Sequence, residues 1–318
     1  PFICPPPFNT MYDGFCFEDN PTFHDSLQSK PMLQRLWAGD DLHKRPEELH
    51  APSKLLSLYL GCNSFVDYEI GRVLDQVYRL APDALVIFTS DHGDMLGSHR
   101  LQAKNAAFYK EITNIPFIVK PAKSHEGNRN VVVSHPASHI DVTPTVLDYF
   151  GIPLPKLLEG RSMLAQFEDP KTQINEHVYC EFTRYEVDHD GFGGLQMMRS
   201  VTDGRFKLTI NLMDRDELYD LQVDPHEVVN LIDDPSCKEI RNKLHDLLIE
   251  HMDQTRDVYR GYQWVARPWR DDRGPSWQNS GMTRQRENEE YESRQWDYDT
   301  GLPMENAVRG KRLYDVKK

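Results

Sequence analysis

The chain has 318 residues, of which 39% are hydrophobic and 27% charged, and its formal net charge at pH 7 is −13. This length allows one large domain, or one domain with a smaller one beside it. No apolar run approaches the ~18 residues that a membrane-spanning helix needs. Because nucleic acids and anionic membranes bind basic surfaces, the acidic balance disfavours both as partners. An anionic substrate would therefore have to be held by local positive groups or by a metal ion.

Five cysteines are scattered along the chain without a Cys-x-x-Cys pair, at positions 4, 16, 62, 180 and 237. Their odd number and their spacing argue against a disulfide framework and against a zinc knuckle. A reducing, cytoplasmic compartment is therefore favoured, and a periplasmic one stays open. The sequence opens on Pro1-Phe2-Ile3 with neither an initiator methionine nor a leader, so we expect a processed start or a fragment.

The first half of the chain has the pattern of an α/β domain. Apolar residues recur every three or four positions from Lys54 to Tyr78, which predicts a helix with Ser53 as its cap. Short apolar runs at 84–89 and 115–119 predict strands buried on both faces of a sheet. Helices and strands in this order favour an α/β fold with a mostly parallel sheet flanked by helices.

Two weaker elements follow in the same half. Val131-Val132-Val133 is read as a third short strand, and a helix is predicted from Asp141 to Phe150. Asp141 is placed where its own side chain would serve as the N-cap of that helix.

From about residue 177 the pattern changes to a small α+β subdomain. Strands are predicted at 178–182, 195–201 and 205–212, where Asp203-Gly204 is a hairpin signal, with Glu217-Leu218-Tyr219 as one more. Residues 236–256 form an amphipathic pattern that predicts a covering helix. We therefore predict an α/β domain over 1–176, an antiparallel-sheet subdomain with one helix over 177–257, and an extended C-terminal arm over 258–318. Because the tryptophans of the arm are costly to leave in water, we expect it to lie on this subunit or on a neighbouring one and to support a homo-oligomer. A disordered tail is the alternative.

Asp91 and His92 follow the first predicted strand directly. Ligand sites of open α/β sheets lie outside the carboxyl ends of the strands, and carboxylate and imidazole groups are common ligands of divalent cations. The pair therefore suggests a metal site, in which Gly93 would let the chain turn sharply. An ordinary strand-end turn is the alternative, since aspartate and glycine are common turn residues.

Further polar residues are candidates for the same site. His99, Arg100, Lys104 and Lys110 form a basic segment, from which a lysine near the metal could stabilise charge on a leaving group. A solvated basic loop is the alternative. His139 could line the pocket or be a hydrogen-bonded structural histidine. Arg184, Glu186 and His189 precede a glycine-rich stretch and could bind a substrate, or belong to an exposed turn.

Several well-known catalytic patterns do not occur in the sequence. It contains no Gly-x-Ser-x-Gly elbow, no P-loop, no His-Glu-x-x-His helix and no glycine-rich dinucleotide fingerprint. The chemistry therefore has to be sought around Asp91 and His92.

The segment Phe88-Thr89-Ser90-Asp91-His92-Gly93-Asp94 closely resembles the second metal-binding motif of the sulfatases, a family of the alkaline phosphatase superfamily. Ile115–Val119, Ser138–Thr145, Gly160-Arg161-Ser162 and Glu217–Leu221 resemble later motifs of the family, in the family's order. The Asp-His form of the motif is similar to the bacterial branch that holds phosphonate monoester hydrolases and YidJ-type sulfatases. The resemblance implies an alkaline-phosphatase-like fold, of which residues 1–176 would be the C-terminal part of the α/β domain.

The resemblance also implies roles for individual residues. Asp91 and His92 correspond to ligands of one divalent cation, calcium or manganese in type, with calcium the first choice. Lys104 corresponds to the family lysine that contacts the sulfate and the leaving-group oxygen. The family nucleophile is a formylglycine made in a Cys/Ser-x-Pro-x-Arg motif, and no such motif occurs in these 318 residues.

Three functions follow as hypotheses. The first is a sulfuric ester hydrolase that acts on a small sulfated substrate, such as a sulfated sugar, with the formylglycine supplied from outside this chain. The second is a phosphonate or phosphate ester hydrolase, because a cation and a lysine serve either tetrahedral anion. The third is a non-catalytic binding or structural fragment. Under the first two hypotheses, the 318 residues alone are expected to be inactive.

Overall fold

The computed structural model describes residues 2–122, 130–155, 158–184 and 196–273. Its helices, in chain order, are α1 (Met32–Ala38), α2 (Pro46–Leu49), α3 (Lys54–Leu80), α4 (Lys110–Thr113), α5 (Val142–Tyr149), α6 (Leu164–Glu168), α7 (Lys238–Gln254) and α8 (Tyr262–Val265). Its strands are β1 (Val86–Thr89), β2 (Phe117–Lys120), β3 (Val178–Arg184), β4 (Gln196–Thr202), β5 (Phe206–Asn211) and β6 (Glu217–Asp220). Within these ranges, no helix is both long and apolar enough to cross a bilayer.

The long helix α3 confirms the prediction made from the periodic apolar residues. Its N-cap is Ser53, whose side chain accepts a hydrogen bond from the backbone N–H of Leu56. The cap satisfies one of the N–H groups that the first turn of a helix leaves without a partner. The chain then reaches β1 after a short break at residues 81–85.

Strands β1 and β2 form a two-stranded sheet, and their pairing is antiparallel, with Val86 opposite Lys120. The predicted sheet is mostly parallel, whereas these two strands run antiparallel to each other. A parallel return needs a crossover along the sheet, usually a helix. Residues 90–116 contain instead only a 3-10 turn at Ser98–Arg100 and the four-residue α4. The two strands are also not buried on both faces, since Ile118 is 61% exposed.

Two smaller predictions in this half need correction. Val131-Val132-Val133 is not a strand but an exposed irregular segment. Asp141 does not cap α5 through its side chain. Its buried carboxylate instead accepts hydrogen bonds from the backbone N–H of Ser138 and of Arg161 and from the amide of Asn175, so that it joins three segments. The bond from Ser138 belongs to a capping box of the 3-10 turn before α5, whereas Arg161 and Asn175 lie 20 and 34 residues away, beyond the reach of a local pattern.

The second sheet has four antiparallel strands in the order β3-β4-β5-β6, as its hairpin pattern predicts. Gly204, with φ of 91°, makes the predicted turn between β4 and β5. Helix α7 packs on this sheet, and their shared core includes Leu208, Leu218 and Leu248. Trp264 of α8 belongs to the same core, because residues 258–273 fold back onto α7 and the sheet.

Candidate active site

The motif Ser90-Asp91-His92-Gly93 lies directly after the carboxyl end of β1. Gly93 is in close contact with α4: its N–H donates to the carbonyl of Ile112 at 3.0 Å, and a Cβ on it would lie 1.9 Å from the carbonyl oxygen of Glu111. Only glycine allows two backbone segments to approach so closely. This contact therefore fixes the position of the backbone that carries the side chains of Asp91 and His92.

The imidazole of His92 is oriented by the backbone. Its Nδ1 donates to the carbonyl oxygen of Gly93 at 2.7 Å; since a carbonyl can only accept, Nδ1 carries the proton and Nε2 the lone pair. This arrangement, with one ring nitrogen held by a carbonyl and the other free to coordinate, is typical of histidines that bind metals. Nε2 lies 3.3 Å from Oδ2 of Asp91.

Lys104 reaches this pair from the loop that follows the motif, and its ammonium donates to Nε2 of His92. The structure thus brings together the three residues for which metal binding and catalysis were predicted. The pKa of Asp91 is lowered, first because the backbone N–H of His92 donates to its carboxylate and also through the charge of Lys104. Asp91 is therefore held as an anion, and its side chain is 82% exposed.

These residues fit one side of a divalent cation site. A carboxylate oxygen and an imidazole nitrogen lie 3.3 Å apart, and two acceptors so close together need a positive charge beside them. In the ranges that the structure describes, no group of three or more histidine, cysteine or acidic side chains is arranged to hold a metal ion. Asp91 and His92 could therefore supply only part of a coordination sphere.

His139 lies beside the motif, in a 3-10 turn at His139–Asp141. Its Nε2 donates to the carbonyl oxygen of Ser90 at 2.7 Å. Of the two roles considered for His139, this contact favours the hydrogen-bonded histidine that supports the motif, because the donating nitrogen is already occupied.

Arg184 lies at the end of β3 and donates through Nη1 to the side-chain oxygen of Asn105 at 3.3 Å. Asn105 follows Lys104 directly, so this contact brings the end of the second sheet to the lysine loop. Glu186 and His189, the other two predicted substrate-binding residues, lie outside the described residues.

A buried polar cluster on the far side of the lysine loop escaped the sequence reasoning. Asp25 accepts from Nδ1 of His99 at 2.7 Å and lies 3.7 Å from the ammonium of Lys30. Burial alone would raise the pKa of Asp25, but the hydrogen bond from His99 and the charge of Lys30 leave it lowered. Glu217 accepts from Tyr219 at 2.7 Å. Asp25 carried no local signal, whereas Glu217 and Tyr219 belong to a motif that resembles one of the family's.

A cavity of about 940 Å³ lies next to β2, between that strand and residues 130–137 and 163–170. Its lining is largely apolar and includes Phe117, Val119 and Phe167. None of the predicted site residues lines it, so the cavity gives no support to the metal site.

The fold compares well with solved structures. A 2-O GAG sulfatase is similar with a TM-score of 0.65 and 25% identity, over 77% of this chain and 54% of that one. The phosphonate monoester hydrolase of Agrobacterium radiobacter gives a TM-score of 0.67 at 23% identity, over 80% of this chain and 54% of that one. The chain thus has the predicted α/β, alkaline-phosphatase-like fold.

Sequence comparison identifies the family. Residues 7–152 match the profile described as Sulfatase, and residues 97–254 that described as N-sulphoglucosamine sulphohydrolase, C-terminal. The chain is 42% identical to the uncharacterized sulfatase YidJ of Escherichia coli (strain K12) over 319 residues, which cover 96% of this chain and 59% of that protein. The chain therefore belongs to the sulfatase family, as the motifs predicted. It spans about three-fifths of the length of this relative.

Proposed function

We propose that the full-length protein is a metal-dependent hydrolase that cleaves sulfate monoesters. The observation that carries this proposal is the meeting of Asp91, His92 and Lys104 at the end of β1 in a chain of the sulfatase family. Carboxylate, imidazole and ammonium groups at one point suit a tetrahedral anion that is bound through a cation.

In this proposal each residue has one role. Asp91 and His92 hold the cation, which when bound polarises the ester oxygens. Lys104 places its ammonium where negative charge develops on the departing alcohol oxygen and stabilises it. The carbonyl of Gly93 keeps the lone pair of His92 on Nε2. The oxygen of Asp91 suits calcium or manganese, whereas the nitrogen of His92 favours manganese, because calcium prefers oxygen ligands.

The nucleophile is part of the proposal as well. No Cys/Ser-x-Pro-x-Arg motif occurs in the sequence, and we infer that a formylglycine from outside these 318 residues attacks the ester. The 318 residues alone should then bind metal weakly and show no turnover. Detection by mass spectrometry of a formylglycine peptide in the full-length protein supports the proposal. An unmodified, inactive protein would leave a binding or structural role.

A phosphonate or phosphate ester hydrolase is the second candidate, because the fold is also similar to that of a phosphonate monoester hydrolase. Steady-state kinetics of the full-length protein on aryl sulfate, phosphate and phosphonate esters with one leaving group separates the two. The first proposal expects the highest kcat/KM on the sulfate. A higher value on the phosphonate favours the second candidate.

Substrate recognition and assembly complete the proposal. We propose that Arg184, which donates to Asn105 beside Lys104, binds a further anionic group of a small sulfated substrate, such as a sulfated sugar. Since Trp264 is buried in the chain's own core, we propose that the part of the arm after residue 273 supports a homo-oligomer. Sedimentation of a variant that ends at residue 273 tests this, and an unchanged mass counts against it.

A further inference from the structure

The loop that carries Lys104 has an unusual backbone. Leu96, His99, Arg100 and Ala103 all have positive φ, between 45° and 62°. For residues other than glycine this conformation costs free energy, and several such residues close together persist only where contacts from the surroundings hold them. Something outside the loop must therefore keep it in shape.

One end of the loop is held by the N-terminal part of the chain. The ring of His99 is fully buried, donates to Asp25 and stacks on Tyr109 with ring centroids 3.9 Å apart. Arg100 donates through Nε to the carbonyl of Asp25 at 2.7 Å. These contacts fix the two adjacent residues of positive φ.

The other end is held by a buried ion pair from the second sheet. Glu227 accepts from the backbone N–H of Lys110 at 2.7 Å, and its other oxygen pairs with the ammonium of Lys207. Lys207 also donates to the carbonyl of Phe108. The pair thus binds the backbone on both sides of Tyr109, which carries the stack with His99.

We propose that Glu227 and Lys207 are positioning residues for Lys104. This inference rests on the proposed function of Lys104. Neither residue contacts the motif after β1; both act through the loop between Leu96 and Lys110. A buried ion pair adds little to stability compared with apolar side chains of the same size. The role of this pair is therefore to hold the loop backbone in one position.

A double-mutant cycle in the full-length protein tests the proposal. Glu227→Gln should lower kcat by about 10- to 100-fold with little change in KM, because a small displacement of a catalytic group has this effect. In the Lys104→Ala background the same change should lower kcat no further. An equal loss in both backgrounds would overturn the proposal, because it would mean that Glu227 acts independently of Lys104.

The chain offers a matched control. Asp216, in the same subdomain, pairs with Arg267; their side chains are 1% and 8% exposed, against 0% and 9% for Glu227 and Lys207. Asp216→Asn should have the same effect with and without Lys104. Lys207→Arg, which keeps the charge, should retain most of the turnover that Lys207→Met loses.

Hydrogen exchange measured by mass spectrometry tests the inference without activity. The N–H of Met95 donates to Ala103 at 2.9 Å and that of Gly97 to Leu101 at 2.8 Å, so their exchange reports the shape of the loop. Glu227→Gln should accelerate exchange over 95–110, and Asp216→Asn should not. Unchanged exchange there contradicts the positioning role. If the wild-type protein cleaves no ester, the proposed function fails, and this measurement still decides the inference.

Discussion

Nε2 of His92 lies 3.3 Å from Oδ2 of Asp91, and the two atoms face one another as acceptors. The carbonyl of Gly93 imposes the orientation of the His92 ring, because it accepts a hydrogen bond from the one N–H that a neutral imidazole carries. Two acceptors at this distance repel unless a positive charge lies beside them. In the structure the ammonium of Lys104 provides that charge, and in the proposed enzyme a divalent cation shares the task.

Lys104→Ala should leave the bound metal in place and lower kcat by about 10²- to 10³-fold, the effect of removing one group that stabilises developing charge. The loss should be larger for alkyl than for aryl esters, because an alkoxide leaving group carries more charge. Kinetics on both esters, with metal analysis of the same samples, checks this. The exposed Lys171 gives the control, since Lys171→Ala removes a cation far along the chain from the motif. Equal turnover of wild type and Lys104→Ala on both esters contradicts the role.

Gly93→Ala should destabilise the protein by about 1–3 kcal/mol, because the new methyl group would lie 1.9 Å from the carbonyl oxygen of Glu111. Gly71→Ala is the matched control: Gly71 lies inside α3, and a methyl group added to it would have no atom within 4 Å, so the change should stabilise by about 0.5–1 kcal/mol. Chemical denaturation measures both. Equal stability of the Gly93 variant and the wild type would rule out the close backbone contact.

Stability should fall in mild acid because of His245. Its Nε2 donates to Trp264 and its Nδ1 accepts from Arg270, so only the neutral ring satisfies both partners. Burial is the main cause that lowers its pKa from 6.5 to about 4. Between pH 6.5 and about pH 4, His245 is protonated in the unfolded chain but stays neutral in the folded chain. The free energy of unfolding therefore declines as the pH falls through this range.

The decline attributable to His245 is on the order of 2–3 kcal/mol between pH 6.5 and 4. Burial also lowers the pKa of His251 to about 4, so part of the slope should remain when His245 is replaced. Denaturation of wild type and His245→Gln at several pH values measures the difference. An identical slope in the two proteins contradicts the account of His245.

The sequence predicted those parts of the structure whose determinants are local. Helix α3 was found with its Ser53 cap, and the β4–β5 hairpin with its turn at Gly204, because periodicity and turn residues act over a few positions. The antiparallel pairing of β1 and β2 was missed, since an apolar run gives the strand and not its direction. The sequence predicts that Asp141 caps α5, because two of its three partners, Arg161 and Asn175, are distant in the chain and leave no local pattern.

The candidate site divides in the same way. Asp91 and His92 are adjacent and follow a strand, so the pair was visible in the sequence, and Lys104 was singled out by its resemblance to a family motif. The contacts that hold the lysine loop were not visible in the sequence. Glu227 meets Lys110 across 117 positions and Asp25 meets His99 across 74, and only the fold brings such partners together.

The central claim is that Asp91 holds a divalent cation on which ester hydrolysis depends. The most direct test is to measure bound divalent metal and sulfate ester turnover in the full-length wild-type protein and in its Asp91→Ala variant. Asp75→Asn, an exposed acidic position on α3, serves as the control for charge. We predict that Asp91→Ala loses both metal and turnover while Asp75→Asn keeps both. A variant without Asp91 that retains its metal and its turnover would contradict the account.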